Sequence, residues 1–238
     1  MTWSIIARDT QTGKFGIAVA TRFFAVGTLV PHTEAAVGAV ATQALINPFF
    51  GVNGLRLLRD GIPAADVVAR LIASDEGQAH RQVHVMDAGG HVAVHTGKAC
   101  TDWCGAIAEP NLSVAGNMLA NENVIKATAK TFLSNAKMPF AQRLIVALKA
   151  GETAGGDKRG RQSAALRIQG EEDWPDLDLR VDDHTDPLAE IERLEKVSRE
   201  RFVHFMKFLP NRVHPAGTTD RAVIESGIQE ALAAQEKS

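Results

Sequence analysis

The order in which strand-like and helix-like segments follow one another limits most strongly how this chain can fold. Short β-rich runs come in groups joined by turn sequences, and amphipathic runs come in pairs between those groups. The order is strands, two helices, strands, two helices, strands and a helix. Hairpin connections favour antiparallel sheets over a regular alternation of strand and helix. The sequence therefore predicts an α+β fold, a four-layer α-β-β-α sandwich of two antiparallel sheets.

Two hairpins are the clearest local predictions. The runs Ser4–Arg8 and Gly16–Ala20 flank "DTQTGK", whose Asp, Thr and Gly suit a turn. In "RQVHVMDAGGHVAVHTG", pairing Val85 with Val92 leaves a two-residue turn. That register places the valines on one face and the histidines on the other, with His84 and His95 as diagonal neighbours. Two histidines without a Cys or carboxylate make a poor metal site, so no metal is expected.

The segment "DPLAEIERLEKVSRERFVHFMKFL" predicts one long helix. Asp186 suits its N-cap and Pro187 its first turn. We expect a single domain over residues 1–238 with a helical extension from about residue 186. Phe202, Phe205 and neighbouring apolar residues on this helix suit packing between subunits, as in an assembly or scaffold protein, and predict a homodimer. The plainer interpretation is that the helix packs on the sandwich of its own chain.

Composition excludes several classes of function. The formal net charge is −2 and there is no long basic run, which argues against nucleic-acid binding. Apolar stretches are broken before the length of a membrane span, and no secretory signal is visible. Cys100 and Cys104 do not have the spacing of a redox pair or a zinc half-site, so we expect reduced thiols in a cytoplasmic protein. No cofactor motif is present, so no cofactor is expected.

The start of the chain carries the first candidate for catalysis. Removal of Met1 would leave Thr2 as the first residue. An N-terminal threonine combines a nucleophilic hydroxyl with an α-amine of ordinary pKa about 8, which can accept the proton. Ser4 lies on the same strand face, as a rival nucleophile or a partner of the amine. The plainer interpretation is that both are ordinary strand residues.

The glycine-rich segment "GGDKRGRQSAAL" is the second candidate, because it places polar residues before a strand. An arginine fork there suits a carboxylate or phosphate ligand. The plainer interpretation is a helix-to-strand turn whose polar groups satisfy the loop backbone. The substrate-binding candidates of this segment are Asp157, Arg159, Gln162 and Ser163.

Other candidates lie at strand ends. Thr21 and Arg22 follow the second strand, at the end of the hairpin where the chain begins. Arg22 would bind an anion or lower the pKa of a nearby amine. Gln43 and Asn117 carry amides that suit stabilisation of an oxyanion. Amides at strand ends more often cap turns.

Five separated segments resemble, in order, the bacterial domain of unknown function numbered 1028. They are "SIIARDTQTGKFGIAVATRFFAVGTLVPH", "GAVATQALINPFFGVNGLRLL", "DAGGHVAVHTGKAC", "SVAGNML" and "GGDKRGRQSAAL". The resemblance extends over nearly all of residues 2–210. That family is placed in the Ntn-hydrolase-like superfamily, so the resemblance implies the α-β-β-α sandwich. In that superfamily the nucleophile is the first residue of the mature protein, on a central strand.

The resemblance places either Thr2 or Ser4 at the nucleophile position, and Arg22 matches the basic residue often found beside it. We therefore expect an Ntn-type amidohydrolase that cuts an amide bond in a small molecule or short peptide. The alternative is a sandwich without catalytic activity that binds a small anionic ligand in the same cleft. Since a fold does not fix a function, both hypotheses stay open at this point.

Overall fold

A computed structural model describes residues 2–235, which form ten strands and seven α-helices. The strands are β1 (Thr2–Arg8), β2 (Phe15–Thr21), β3 (Pro31–Glu34), β4 (Gly38–Ala44), β5 (Arg81–Asp87), β6 (Val92–Thr96), β7 (Trp103–Glu109), β8 (Leu112–Leu119), β9 (Ser163–Gln169) and β10 (Leu177–Val181). The helices are α1 (Pro48–Arg59), α2 (Ala64–Ala73), α3 (Asn123–Ser134), α4 (Phe140–Thr153), α5 (Pro187–Ser198), α6 (Phe202–Phe205) and α7 (Arg221–Gln235).

The strands form two antiparallel sheets. The larger sheet has six strands in the order β10-β9-β2-β1-β8-β7, and the smaller has four in the order β3-β4-β5-β6. The first strand therefore lies in the middle of the larger sheet, between β2 and β8. Thr2 is paired with Thr21 on β2 and with Asn117 on β8.

The sheets face each other and helices cover their outer faces. Helices α1 and α2 pack on the smaller sheet, and α3 and α4 pack on the larger one. Ile6, Ile17 and Val19 of the larger sheet meet Ala41 and other small residues of the smaller sheet in one buried cluster. These small side chains allow the sheets to approach closely. The predicted four-layer α+β fold is confirmed.

The register of the β5–β6 hairpin differs from the prediction by one residue. Val85 pairs with Ala93, and Val83 pairs with His95. The turn is longer than two residues because the Asp87 carboxylate accepts hydrogen bonds from two backbone N–H groups within it, and Gly90 has a φ of 82°. The valines of the two strands therefore lie on opposite faces.

The helix predicted to continue from Asp186 is interrupted. The helix α5 ends at Ser198, and α6 begins at Phe202. At the break, Ser198 Oγ donates to the carbonyl of Glu195 and His204 Nε2 lies 3.1 Å from the carbonyl oxygen of Arg199. Such side-chain bonds to the backbone compete with the regular helical pattern. The prediction of one continuous helix was wrong.

The chain divides into two compact units. The first ends at Ile191, and the second begins at Glu192 and contains α6 and α7. All ten strands belong to the first unit. In the second, the carboxylate of Glu225 on α7 accepts from the guanidinium of Arg201. The expected homodimer stays a prediction. Within residues 2–235, none of the helices has the length and apolar character needed to cross a membrane.

Candidate functional site

Polar side chains occupy one end of the space between the two sheets. On β1, Thr2 and Ser4 point to the same inner face as Ile6, because side chains alternate along a strand. On β5 the same alternation turns Gln82 and His84 inward, while the valines face α1 and α2. A buried polar group is costly unless it is hydrogen-bonded, and these groups form one continuous network.

The first half of the network is centred on His84, which is fully buried. Ser4 Oγ donates to Gln43 Oε1 at 2.6 Å and lies 2.8 Å from His84 Nε2. Since Ser4 gives its proton to the glutamine, it accepts from His84 Nε2–H. His84 Nδ1 is then the acceptor for the Ser113 hydroxyl, 2.8 Å away. Burial lowers the pKa of His84 to about 3, so the ring is neutral.

The second half runs through amides toward the start of the chain. Gln43 Nε2 donates to Gln82 Oε1 at 2.8 Å and to the carbonyl of Ala115 at 3.2 Å. Asn117 Nδ2 also donates to Gln82 Oε1, at 3.0 Å, and to the carbonyl of Thr2, at 3.4 Å. Asn117 Oδ1 is buried and has no hydrogen-bond partner among the described residues.

A cavity of about 580 Å³ opens beside this end of the network. Thr2, Thr21 and Asn117 line it, and Arg159 lies at its side. The hydroxyl oxygens of Thr2 and Thr21 are 3.1 Å apart. The volume is within the range of about 300–1,000 Å³ that is common for small-molecule sites. The hydroxyl of Thr2 is thus placed beside a space large enough for a ligand.

The other residues that line the cavity are mainly apolar, and two of them have a strained backbone conformation. Phe23, Leu45 and Met118 contribute apolar surface. Ala44 and Met118 have φ values of 71° and 55°, in the left-handed region that side-chain-bearing residues seldom adopt. Strained positions of this kind cluster at binding and active sites. Cys100 also lines the cavity, and burial raises the pKa of its thiol.

The glycine-rich loop before β9 is organised around the carboxylate of Asp157, which is buried. Its Oδ2 accepts from the backbone N–H of Arg22 at 2.9 Å, and its Oδ1 accepts from the backbone N–H of Arg159 at 2.8 Å. The Arg159 guanidinium contacts both carboxylate oxygens, at 3.3 and 3.2 Å. The guanidinium of Arg22 donates to the carbonyl of Arg161 at 3.2 Å. Asp157 thus joins the loop to the end of β2.

The other two residues of this loop have different surroundings. Ser163 Oγ donates to the carbonyl of Phe23 and accepts from the backbone N–H of Val26, so it holds the segment that forms one cavity wall. Gln162 Nε2 donates to Asp183 Oδ1, and its backbone N–H donates to the carbonyl of Thr21. Gln162 does not line the cavity.

Four of the candidate residues therefore meet at the cavity: Thr2, Thr21, Asn117 and Arg159. Ser4 and Gln43 lie behind them in the buried network and have no exposed surface. Asp157 and Ser163 support the cavity walls. Arg22 is exposed and follows Thr21, but it does not line the cavity.

His84 and His95 cannot share a metal, because the observed register places them on opposite faces of the smaller sheet. In the part of the chain from 2 to 235, three or more His, Cys, Asp or Glu side chains never come together in a way that suits a metal ion.

The chain matches a family model described as a family of unknown function (DUF1028) over residues 2–191. It belongs to the DUF1028 family. Among solved structures it is similar to protein SPO2555 from Silicibacter pomeroyi, itself assigned to DUF1028. The two share 31% sequence identity with a TM-score of 0.85, over 92% of this chain and 99% of the other. The DUF1028 match ends at Ile191, where the first compact unit also ends.

A weaker similarity connects this DUF1028 chain with Anbu (ancestral beta-subunit) from Yersinia bercovieri. The identity is 11% and the TM-score 0.38, over 88% of this chain and 98% of that one. No curated protein matches the chain.

Several residues of this DUF1028 site were not among the sequence candidates. Gln82, His84 and Ser113 are in the buried network, and Leu45 and Met118 line the cavity. The alternation in "RQVHVMD" does indicate that Gln82 and His84 share a face. It does not indicate that this face is the buried one between the sheets, because valines normally point to the core.

Proposed function

We propose that this DUF1028 protein is an amidohydrolase of the N-terminal nucleophile type, which cuts an amide bond in a small molecule or short peptide. The observation that carries the proposal is the position of Thr2. It begins a central strand of a four-layer sandwich, and it lines a cavity of ligand size. The order of layers and the place of this residue also support membership of the Ntn-hydrolase-like superfamily.

In the proposed reaction, removal of Met1 frees the α-amine of Thr2; Met1 itself lies outside the described residues. Thr2 Oγ1 forms a bond to the acyl carbon while its proton moves to the amine. The amine then gives that proton to the departing nitrogen as the amide bond breaks. Water hydrolyses the resulting ester and regenerates the threonine. The hydroxyl of Thr21, 3.1 Å from that of Thr2, orients the nucleophile.

The surroundings of the two early hydroxyls favour Thr2 over Ser4. Thr2 lines the cavity, whereas Ser4 has no exposed surface and its hydroxyl donates to Gln43. A nucleophile must reach the acyl carbon, which Ser4 cannot do from within the network. Gln43 supports Ser4 from behind and does not face the cavity.

The proposal is tested by covalent labelling with a β-lactone bearing a short alkyl chain, because ring opening by a hydroxyl leaves a stable ester. Intact mass should show that purified protein lacks Met1 and gains one equivalent of the probe. Tandem mass spectrometry should locate the adduct at Thr2. Thr2→Ala should reduce the labelling rate on the order of 10³-fold or more, whereas Thr2→Ser should keep measurable labelling.

Thr12→Ala is the matched control, since Thr12 lies in the exposed turn between β1 and β2. It should label at the wild-type rate. An adduct at Ser4, equal labelling of Thr2→Ala, or labelling of protein that retains Met1 would each refute Thr2 as the terminal nucleophile.

Binding of a small anionic ligand without catalysis is the second candidate function, because Arg159 brings a guanidinium to the cavity. Under that alternative, small carboxylates would raise the melting temperature while the β-lactone leaves Thr2 unmodified.

A further inference from the structure

The orientation of the Gln82 side-chain amide is fixed by its surroundings. Its Nε2 lies 2.9 Å from the carbonyl oxygen of Gly116 and 3.3 Å from that of Gly105. Backbone carbonyls only accept hydrogen bonds, so the NH₂ group of Gln82 must face them. The carbonyl oxygen Oε1 of Gln82 therefore faces the opposite way, toward Gln43 and Asn117.

This fixed acceptor in turn determines the orientation of Asn117. Its NH₂ group donates to Gln82 Oε1 and to the carbonyl of Thr2. Both partners are acceptors, so turning the amide over would bring oxygen against oxygen at both positions. The group left over is Oδ1, a buried acceptor for which residues 2–235 provide no donor, on a residue that lines the cavity. A buried acceptor without a hydrogen bond is costly, which makes this atom a recognition point for a donor.

The two arginines near the cavity, Arg22 and Arg159, already have partners. The Arg159 guanidinium is paired with the carboxylate of Asp157, and that of Arg22 donates to a backbone carbonyl. The wall residues Phe23, Leu45 and Met118 are apolar. A carboxylate in this cavity would meet the lone pair of Asn117 Oδ1 and would compete with Asp157 for the guanidinium of Arg159.

We infer that the cavity selects an uncharged amide that carries an N–H group and an apolar chain, and that Asn117 Oδ1 accepts the hydrogen bond from that N–H. Gln82 is a positioning residue, because it makes Asn117 present its oxygen rather than its NH₂. The inference rests on the proposed function for its site, and it names the class of substrate. It also revises the expectation that the Asn117 amide donates to an oxyanion.

Three probes with the same chain length test the inference: hexanamide, N,N-dimethylhexanamide, which lacks the N–H, and hexanoate, which is anionic. Dissociation constants are measured by ligand-detected NMR and calorimetry, where constants of about 1–10 mM are expected for molecules of this size. Hexanamide should bind about tenfold more tightly than the dimethyl amide and more tightly than hexanoate. Equal binding of the two amides, tighter binding of hexanoate, or no binding of hexanamide would overturn the inference.

Asn117→Ala removes the acceptor, so hexanamide and N,N-dimethylhexanamide should then bind with equal affinity. Asn135→Ala, at the end of α3 and away from the cavity, is the matched control and should keep the wild-type preference. A full preference in folded Asn117→Ala would overturn the role of Oδ1. If that variant does not fold, the comparison of the probes on the wild-type protein decides.

Repeating the comparison on Thr2→Ala separates this inference from the proposed function, because binding needs no nucleophile. A preference that persists while the β-lactone fails to label the wild type would refute the hydrolase alone. Labelling of Thr2 without any preference between the two amides would refute the present inference alone.

Discussion

Neutral, buried His84 should make the stability of the protein depend on pH. The unfolded chain binds a proton on this imidazole below its ordinary pKa of 6.5, whereas burial lowers the folded pKa to about 3. Because the folded pKa is the lower one, the unfolded state takes up more protons as the pH falls. The contribution of His84 to stability is therefore complete above pH 6.5 and is lost as the pH falls from 6.5 toward 3.

The magnitude follows from proton linkage. Between these two pKa values, each pH unit changes the free energy of unfolding by about 1.4 kcal/mol. From pH 7.5 to pH 5, the loss due to His84 is about 2 kcal/mol. This figure depends mainly on the pKa of His84 in the unfolded chain, because at pH 5 the ring in the folded protein is still neutral for any folded pKa near 3.

The assay is urea unfolding followed by tryptophan fluorescence at several pH values. Trp3 is buried, and Trp103 and Trp174 also belong to the first compact unit, so the signal reports on the sandwich. His84→Gln replaces the imidazole by an amide, which still provides a hydrogen-bond donor and an acceptor but does not titrate. Its free energy of unfolding should fall by about 2 kcal/mol less than that of the wild type over the same pH interval.

His214→Gln replaces an exposed histidine of the second compact unit and is the matched control, so its curve should run parallel to that of the wild type. The nitrogen-15 shifts of His84 in the wild type provide a second measurement that needs no variant. They should report a neutral ring protonated at Nε2 down to pH 5. A cationic ring in the folded protein at pH 5, or identical pH dependence in His84→Gln and the wild type, would refute the reasoning.

Two further substitutions test the packing around the site. Gly151→Ala should lower the free energy of unfolding by about 1–3 kcal/mol, because the new Cβ would overlap Thr128 Oγ1 and lie 2.8 Å from Trp3 Nε1. The same change at an uncrowded helical position stabilises by about 1 kcal/mol, so a rise in the urea midpoint would contradict the crowding. Asp157→Ala should lower the free energy of unfolding by about 1–3 kcal/mol, because the backbone N–H groups of Arg22 and Arg159 lose their acceptor. Asp157→Asn keeps an acceptor and should lower it by less. Equal losses in the two variants would contradict this explanation.

Much of the fold follows from local sequence patterns. The opening hairpin, the paired helices and the two-sheet arrangement are predicted from periodicity and turn residues, and all are present. The strands β3 and β7 are not predicted. The first is short and begins with Pro31, and the second contains Gly105 within the cysteine-bearing segment, so neither resembles an isolated strand.

The site is predicted less completely, because long-range packing decides it. The opening hairpin brings Thr21 beside Thr2, as predicted. Asn117 reaches Thr2 through the pairing of β1 with β8, which the sequence does not predict. The burial of His84 depends on which face of β5 meets the other sheet. The Asp87 carboxylate and Gly90 determine the turn of the β5–β6 hairpin, and the turn determines the register. A register predicted from a two-residue turn is therefore wrong when a side chain stabilises a longer turn.

The amide network also has a consequence for how the two sheets find each other. Apolar contacts between small side chains are non-directional and change little when one sheet slides over its neighbour. Hydrogen bonds depend steeply on distance and angle, so a displacement of a single residue would break the links from Ser4 and Asn117 at once. The polar layer therefore allows only one relative placement of the two sheets, and this placement keeps Thr2 beside the cavity.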